Sequence, residues 1–355
     1  MHSHALTLRP LILGLLALVS MTIHASHHEP AEDEEDVTLF RGAANNTYFE
    51  VYFNAPPTPG MPEVAMEAHT VDLRPERDVA VHVEIFNPAA RIPLILTPGG
   101  MGDCEGFRGF ARNVAAAAPD LKVVIWDRRN VGLSEVAFGP EPANVEEGED
   151  LHVLIERLKL APAALYGMSS GARSNLILAE RYPEDVAALI IAPLTGGPLA
   201  ATRLAEEYFH KYLETEALST MEHISPVPLN SMQAVGETPL WAAYLARSSQ
   251  AKRARFMAQD IARFRAAMQT SGDHLKSFAD QTALGMTDVQ LKALQIPATL
   301  LLHHGVLSDR LHPLTNTRAA AELIPNARYV VAPYLPEILT ALLPFVRELT
   351  PAQQG

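Results

Sequence analysis

Leu165-Tyr166-Gly167-Met168-Ser169-Ser170-Gly171 joins a short apolar run, residues 163–166, to a stretch of helical character, residues 173–181. The pattern is G-x-S-x-G between a buried strand and a helix. The chain must turn sharply there, which puts Ser169 at the apex in a strained backbone conformation with its hydroxyl exposed. Side chains at 167 and 171 would collide with neighbouring backbone, so Gly167 and Gly171 are required. The N–H of Ser170, at the helix start, points to where an oxyanion would form. The plainer alternative is a turn serine that caps the helix.

Outward from this turn, strand-like and helix-like segments alternate from about residue 64. Strands are expected at 79–86 (alternating, half-buried), 93–97, 122–126, 163–166 and 188–192, and helices at 107–117, 145–158 and 173–181. This order predicts an α/β fold, a mostly parallel sheet flanked by helices. Residues 198–295 then carry no β run and show helical periodicity at 201–218 and 250–268. Strands resume at 298–303 and 327–331, and an amphipathic helix over 336–349 closes the chain. The division is a core in two parts, 64–197 and 296–355, interrupted by a helical cap, 198–295. A substrate site is expected between cap and sheet, at the carboxyl ends of the strands. No internal repeat or low-complexity block is present.

These features together resemble the α/β-hydrolase superfamily in its single-cap branch, which includes esterases, C–C hydrolases, cofactor-free haloperoxidases and proline iminopeptidases. Thr97-Pro98-Gly99-Gly100-Met101-Gly102 is similar to the family's H-G-G-P-G loop, with Pro98 in place of the histidine. The resemblance gives the amide of Gly100 the second place in the oxyanion hole, beside Ser170. Trp126-Asp127-Arg128-Arg129-Asn130-Val131-Gly132-Leu133-Ser134 resembles the D-x-R-G-x-G-x-S turn, with Asn130 replacing a glycine. Asp127 and Arg128 are expected to serve local hydrogen bonds in that turn. Gly305-Val306-Leu307-Ser308-Asp309 is similar to the loop that carries the triad acid, and the resemblance assigns Asp309 to it. As an ordinary loop aspartate, Asp309 would cap the helix from Leu314.

The family's histidine is expected after the last strand. Here residues 329–336 contain none, and no histidine follows His312. A serine hydroxyl needs a nearby base to act as a nucleophile at neutral pH. Three readings stand. His312 shares a turn with Asp309 and can hydrogen-bond to it, but that closeness argues against its also reaching Ser169. A cap histidine, His210, His223 or His274, could swing in instead. Otherwise the triad is incomplete and the protein is a weak hydrolase or a binder, and the sequence favours this third reading. Tyr334 is a poor substitute base. His303 and His304 read as structural.

Other features exclude more than they assign. The 355 residues carry 41 acidic against 28 basic side chains, a net charge of −13, which argues against nucleic-acid partners. A single cysteine, Cys104, rules out an intrachain disulfide and a cysteine-based zinc site, and it reads as packing. Residues 1–25 read as a secretory signal: Arg9, an apolar run from Leu11 to Val19, and Ala25 before the expected cleavage. A secreted or periplasmic location follows, without stable membrane association after cleavage; an uncleaved N-terminal anchor is the alternative. Residues 26–63 form an acidic linker and extension, with six acids between Glu29 and Asp36; His27 and His28 beside them make a poor metal site.

In the cap, Met221, Met232, Met257, Met268 and Met286 with Trp241 and Tyr244 suit helix packing or an adaptable apolar pocket. Arg247, Lys252, Arg253, Arg255, Arg263 and Arg265 read as a solvated basic face, with carboxylate recognition as the alternative. Thr195-Gly196-Gly197-Pro198 reads as the hinge into the cap, and Thr195 cannot serve as a relocated acid. The leading function is hydrolysis of a small ester or related acyl or C–C substrate through an acyl-enzyme at Ser169, with Asp309 as acid. The alternatives are a degenerate hydrolase-fold binding or scaffold protein, and an iminopeptidase-like peptidase. No metal or organic cofactor is implied; the partner is a small-molecule substrate. Oligomeric state stays open.

Overall fold

A computed structural model describes residues 62–213 and 229–348. The expected signal, the acidic extension as far as residue 61, and His223 and Met221 of the cap lie outside these residues. Among the described residues no helix is long and apolar enough to cross a membrane.

Eight strands form one sheet: β1 (Met66–Asp72), β2 (Ala80–Phe86), β3 (Ile92–Thr97), β4 (Leu121–Trp126), β5 (Ala163–Gly167), β6 (Val186–Ile191), β7 (Thr299–His303) and β8 (Ala327–Val331). Their spatial order is β1-β2-β4-β3-β5-β6-β7-β8. The β1–β2 and β2–β4 pairings are antiparallel, and all later ones are parallel. The parallel strands are apolar runs because both faces are covered. Alternation along β3 shows this: Ile95 packs into one core layer and Leu94 and Leu96 into the other, all three with no exposed surface. Each such side chain contributes roughly 1.5–3 kcal/mol through burial.

Helices α1 (Cys104–Ala117), α2 (Ala143–Leu158) and α3 (Ser170–Arg181) follow β3, β4 and β5. The cap contains α4 (Pro198–Tyr208), α5 (Met232–Gly236), α6 (Pro239–Arg247), α7 (Gln250–Met257) and α8 (Ile261–Ser277). Then come α9 (Asp288–Ala293), α10 (Leu314–Leu323) and α11 (Leu335–Glu348). On one sheet face, Phe107 and Phe110 of α1 meet Leu342 and Phe345 of α11; on the other lie Leu151 and Leu154 of α2 and Leu176 of α3.

The structure departs from the sequence expectations at four places. Strand β1 was not expected, because Met66–Asp72 is an almost wholly exposed edge with no apolar face. Strand β2 is buried along its whole length rather than half-buried. Its polar positions are covered, since Arg108 of α1 donates to both carboxylate oxygens of Glu84, at 2.9 and 2.5 Å. The periodic stretch 250–268 is two helices: the first ends at Met257, and Asp260 caps the second, accepting from the N–H groups of Ala262 and Arg263. Within the expected stretch 201–218, α4 ends at Tyr208 and a 3-10 turn spans His210–Tyr212, and residues 214–218 lie outside the described residues.

The basic face of the cap is only partly solvated: Arg247, Arg253 and Arg263 are exposed, while Lys252, Arg255 and Arg265 are half-buried. Arg247 pairs with Asp103 and Glu105, and Arg255 donates to the carbonyls of Val136 (3.1 Å) and Asp78 (2.7 Å). Arg253 and Arg265 donate to backbone carbonyls of the cap itself. Two of the four therefore pin the cap to the core. Inside the cap, Trp241 packs against Tyr244, Phe256 and Phe264. Of the named methionines, Met232, Met268 and Met286 are buried and Met257 is 42% exposed.

Two measurements follow. A Cβ at position 171 would lie 2.3 Å from the Thr97 carbonyl oxygen. Gly171→Ala is expected to cost about 1–3 kcal/mol or more of stability, read by denaturant unfolding; a neutral result would mean the turn can relax. His274 of α8 is held neutral by burial and by nearby Arg173, its pKa pushed from 6.5 to about 4. The unfolded chain binds this proton at a higher pH than the folded one, so stability falls as pH drops from 6.5 to about 4. The melting temperature of His274→Gln should fall less across that window than wild type; parallel curves would refute the assignment.

Candidate active site

Ser169 follows the carboxyl end of β5 in a backbone conformation, φ 52° and ψ −111°, that L-residues rarely adopt. Its N–H donates to the Pro193 carbonyl (3.1 Å), and its carbonyl receives the N–H of Ala172 (3.1 Å). These bonds hold the strained turn. A Cβ at Gly167 would lie 2.6 Å from Cα of Ala172, so both flanking glycines are sterically required, as the sequence implies.

The loop after β7 brings Asp309 and His312 to this serine. His312 Nδ1 lies 2.8 Å from Asp309 Oδ2, and His312 Nε2 lies 2.9 Å from Ser169 Oγ. The tautomer follows from the partners: Nδ1 faces a carboxylate and carries the proton, so Nε2 is free to accept from the hydroxyl. The expectation that a histidine sharing the turn of Asp309 falls short of Ser169 is thus overturned.

The reason lies in two histidines that the sequence reading left as structural. The N–H of Val306 donates to His304 Nδ1 (3.0 Å), which puts the His304 proton on Nε2, and Nε2 donates to Asp309 Oδ2 at 3.0 Å. Likewise Gly305 N–H donates to His303 Nδ1 (2.9 Å), and His303 Nε2 donates to the His312 carbonyl at 2.8 Å. Asp309 Oδ1 accepts from the backbone N–H groups of Leu311 and His312. The turn is therefore fastened at both its acid and its histidine to the end of β7. Asp309 does not cap α10, whose N-cap position is Pro313. Burial would raise the Asp309 carboxyl, but the hydrogen bonds from His304 and His312 outweigh it and hold the group well below the usual carboxylate range. The signal that could have found His304 is its place at the end of β7, five residues before the acid.

Other expected alternatives lie elsewhere. His210 lies 3.2 Å from Asp273, and His274 meets the ring of Phe278 edge-on. Tyr334 is 61% exposed. Burial pushes the Cys104 thiol well above its usual pKa, which suits a packing residue.

Gly100, with φ +52°, lines the same cavity as Ser169 and Ser170. The link between Gly100 and Ser170 is Arg128. Its Nη1 donates to Ser170 Oγ at 3.2 Å and its Nη2 to the Gly100 carbonyl at 2.5 Å. Arg128 is 2% exposed, and Nη1 also pairs with Glu147 of α2 at 3.0 Å. The expectation of purely local bonds is corrected for Arg128. For Asp127 it holds in part: Asp127 accepts from the N–H of Leu133 within the turn and from the N–H of Cys104 at the start of α1, both at 2.6 Å. The neighbouring Arg129 is held by Asp150 through two bonds of 2.6 Å.

The cavity above these residues has a volume of about 440 Å³, and Trp241 and Met268 of the cap help to line it. Among the described residues, two clusters have ligand atoms close enough for a metal ion: His304, Asp309 and His312, and His82, Glu84 and Cys104. In the first, the facing atoms are already matched as donors and acceptor. In the second, Glu84 is committed to Arg108.

Comparison with known proteins gives the same picture. The family model for the alpha/beta hydrolase fold matches residues 92–335. The uncharacterized hydrolase YraK of Bacillus subtilis is 36% identical over 98 residues, which is 27% of this chain and 35% of that protein. The putative carbamate hydrolase RutD of a Caulobacter species is 22% identical over 247 residues, 70% of this chain and 84% of that one. Among solved structures, a putative lipase from Acinetobacter baumannii superposes with a TM-score of 0.53 at 14% identity, covering 91% of this chain and all of that one. A thermophilic esterase from Thermogutta terrifontis gives 0.50 at 19%, covering 80% and 99%. The chain belongs to the alpha/beta hydrolase family and is a hydrolase of that family.

Proposed function

We propose that the protein is a serine hydrolase of small esters or related acyl substrates, working through an acyl-enzyme at Ser169 with His312 as base and Asp309 as the orienting acid. The observation that carries this reading is the continuous relay from Asp309 Oδ2 through His312 to Ser169 Oγ, with steps of 2.8 and 2.9 Å. His312 Nε2 takes the hydroxyl proton as Oγ attacks the substrate carbonyl. The imidazolium formed is stabilised by Asp309 and returns the proton to the departing alcohol. Water then attacks the acyl-enzyme, giving its proton to Nε2, and the acid leaves as Ser169 recovers its hydrogen. The amides of Gly100 and Ser170 are the proposed oxyanion donors. The carbamate, lipase and esterase names of the relatives fit acyl transfer. The case for a degenerate binder rested on a missing histidine after β8, and His312 fills that gap from the other side.

A fluorophosphonate probe should label wild type and not Ser169→Ala. His312→Ala and Asp309→Asn, with folding intact, should slow labelling and ester turnover by about 10³-fold or more. Undiminished labelling in His312→Ala would sink the assignment of the base, and an unlabelled folded wild type would sink the acyl-enzyme. Arg128→Lys keeps the charge opposite Glu147 but loses the fork that joins Gly100 to Ser170. Its kcat should fall by about 10²-fold with KM little changed. An unaltered kcat would show that Arg128 serves stability alone.

A further inference from the structure

The wall of the cavity carries a cation that no described side chain neutralises by direct contact. Arg173 lies one helical turn beyond Ser169, and its N–H donates to the Ser169 carbonyl at 3.4 Å. Its side chain lines the cavity and is 8% exposed, and its Nε and Nη1 are buried without a hydrogen-bond partner. The other arginines lining the cavity are paired: Arg128 with Glu147, Arg129 with Asp150, and Arg203 with Glu207. Glu147 attracts Arg173 but is already committed, holding Arg128 and accepting from Ser174 Oγ at 2.5 Å. Two guanidiniums thus face one carboxylate. Burial draws the Arg173 pKa down to about 10, Glu147 opposes that fall, and Arg128 adds to it.

A second unmatched donor stands beside it. Asn144 Nδ2 is buried, without a partner, and Asn144 lines the same cavity. Both approach Gly285, where a Cβ would meet Asn144 Nδ2 at 2.8 Å and Arg173 Cδ at 3.8 Å. A buried charge left unpaired is destabilising, and it is tolerated where a ligand supplies the missing charge. A guanidinium fork with an amide donor beside it suits a planar carboxylate. The surplus is a single positive charge, which a monoanion balances. A dianionic phosphate would leave excess negative charge in a cavity that Glu147, Glu207 and Asp309 also line. A substrate with a free α-amino group would meet repulsion, which weighs against the peptidase alternative.

Resting on the acyl-enzyme reading above, we propose that Arg173, with Asn144, binds a carboxylate on the substrate, so that the enzyme acts on monoesters that carry a free carboxylate, such as half-esters of short dicarboxylic acids.

The test compares kcat/KM for monoethyl adipate against ethyl hexanoate, and for 4-carboxyphenyl acetate against phenyl acetate, in wild type and Arg173→Gln. The proposal expects wild type to favour the charged member of at least one pair. It expects that ratio to fall at least tenfold in Arg173→Gln. Ratios that the substitution leaves unchanged in both pairs would overturn it while leaving the hydrolase reading intact. Should wild type hydrolyse none of the four, the acyl-enzyme reading falls, and calorimetric binding of monoethyl adipate, then not turned over, to wild type and Arg173→Gln decides the carboxylate site separately. Tenfold weaker binding in the variant supports the site; equal binding overturns it. Removing an unpaired buried charge should leave the melting temperature equal or higher, and a clear fall would mark Arg173 as structural and count against the proposal.

Discussion

One carboxylate oxygen organises the site. Asp309 Oδ2 accepts N–H bonds from two imidazoles, His304 and His312, while Oδ1 accepts two backbone N–H groups of its own turn. Four donors on one carboxylate keep it ionised despite burial. They also close the turn so tightly that acid and histidine, only three residues apart, both face inward. His303 completes the arrangement by holding the His312 carbonyl. Without His304, the Asp309 carboxylate would be fixed only by groups of its own turn, and the hold from outside would fall to the His303 bond and to Ser169. The resembling family takes its histidine from the loop after the final strand. Here one loop after β7 supplies both groups, and the segment after β8 is released from that duty, which is consistent with the exposure of Val331 and Tyr334.

Legibility in the sequence follows the range of the interactions. The turn at Ser169 was readable because its constraints are short-range: a strand, a bend that admits no Cβ at 167 or 171, and a helix. The parallel order was readable because strands buried on both faces are apolar throughout. Strand β1 was not, since its residues are almost all exposed and only its ladder to β2 defines it. The burial of β2 was hidden for the converse reason. His82 and Glu84 look like solvent positions until Arg108, 24 residues away from Glu84, covers that carboxylate. The spacing of Asp309 and His312 was visible. Their reach to Ser169 was not, because the direction of a side chain in a three-residue turn depends on what holds the turn from outside. His304 supplies that hold, and its place at the end of a strand, five residues before the acid, points to it without giving the direction of its ring.

Charge inside the fold shows the same dependence on tertiary context. Helix α2 looks amphipathic, yet its Glu146, Glu147 and Asp150 are buried, and they bind Arg77, Arg128 and Arg129. A buried ion pair gains little over an apolar pair of the same shape, because desolvation offsets the attraction. What such pairs provide is direction. The pair Glu147–Arg128 places one guanidinium between the Gly100 carbonyl and the Ser170 hydroxyl, and so ties the loop after β3 to the start of α3. The sequence motif that carries Arg128 could be recognised without revealing this link, since the turn's own geometry accounts only for the bond between Leu133 and Asp127.

Arg173 then stands out by contrast. It shares the cavity with Arg128 and Arg129, and like them it is buried. Its neighbours illustrate how readily this fold matches a buried arginine: Arg129 receives two oxygens of Asp150, and Arg128 receives a carboxylate, a hydroxyl and a carbonyl. For Arg173, the described residues provide no ion pair, only the attraction of Glu147, itself shared, and of Tyr208. The same helix that presents Ser169 and the Ser170 amide thus presents an unmatched cation one turn further on. A buried, unpaired cation beside Ser169 and open to the cavity is intelligible when the counter-charge arrives with the substrate, as proposed above. The free energy withheld from folding is then available to hold that substrate, and an uncharged ester of the same size could not draw on it.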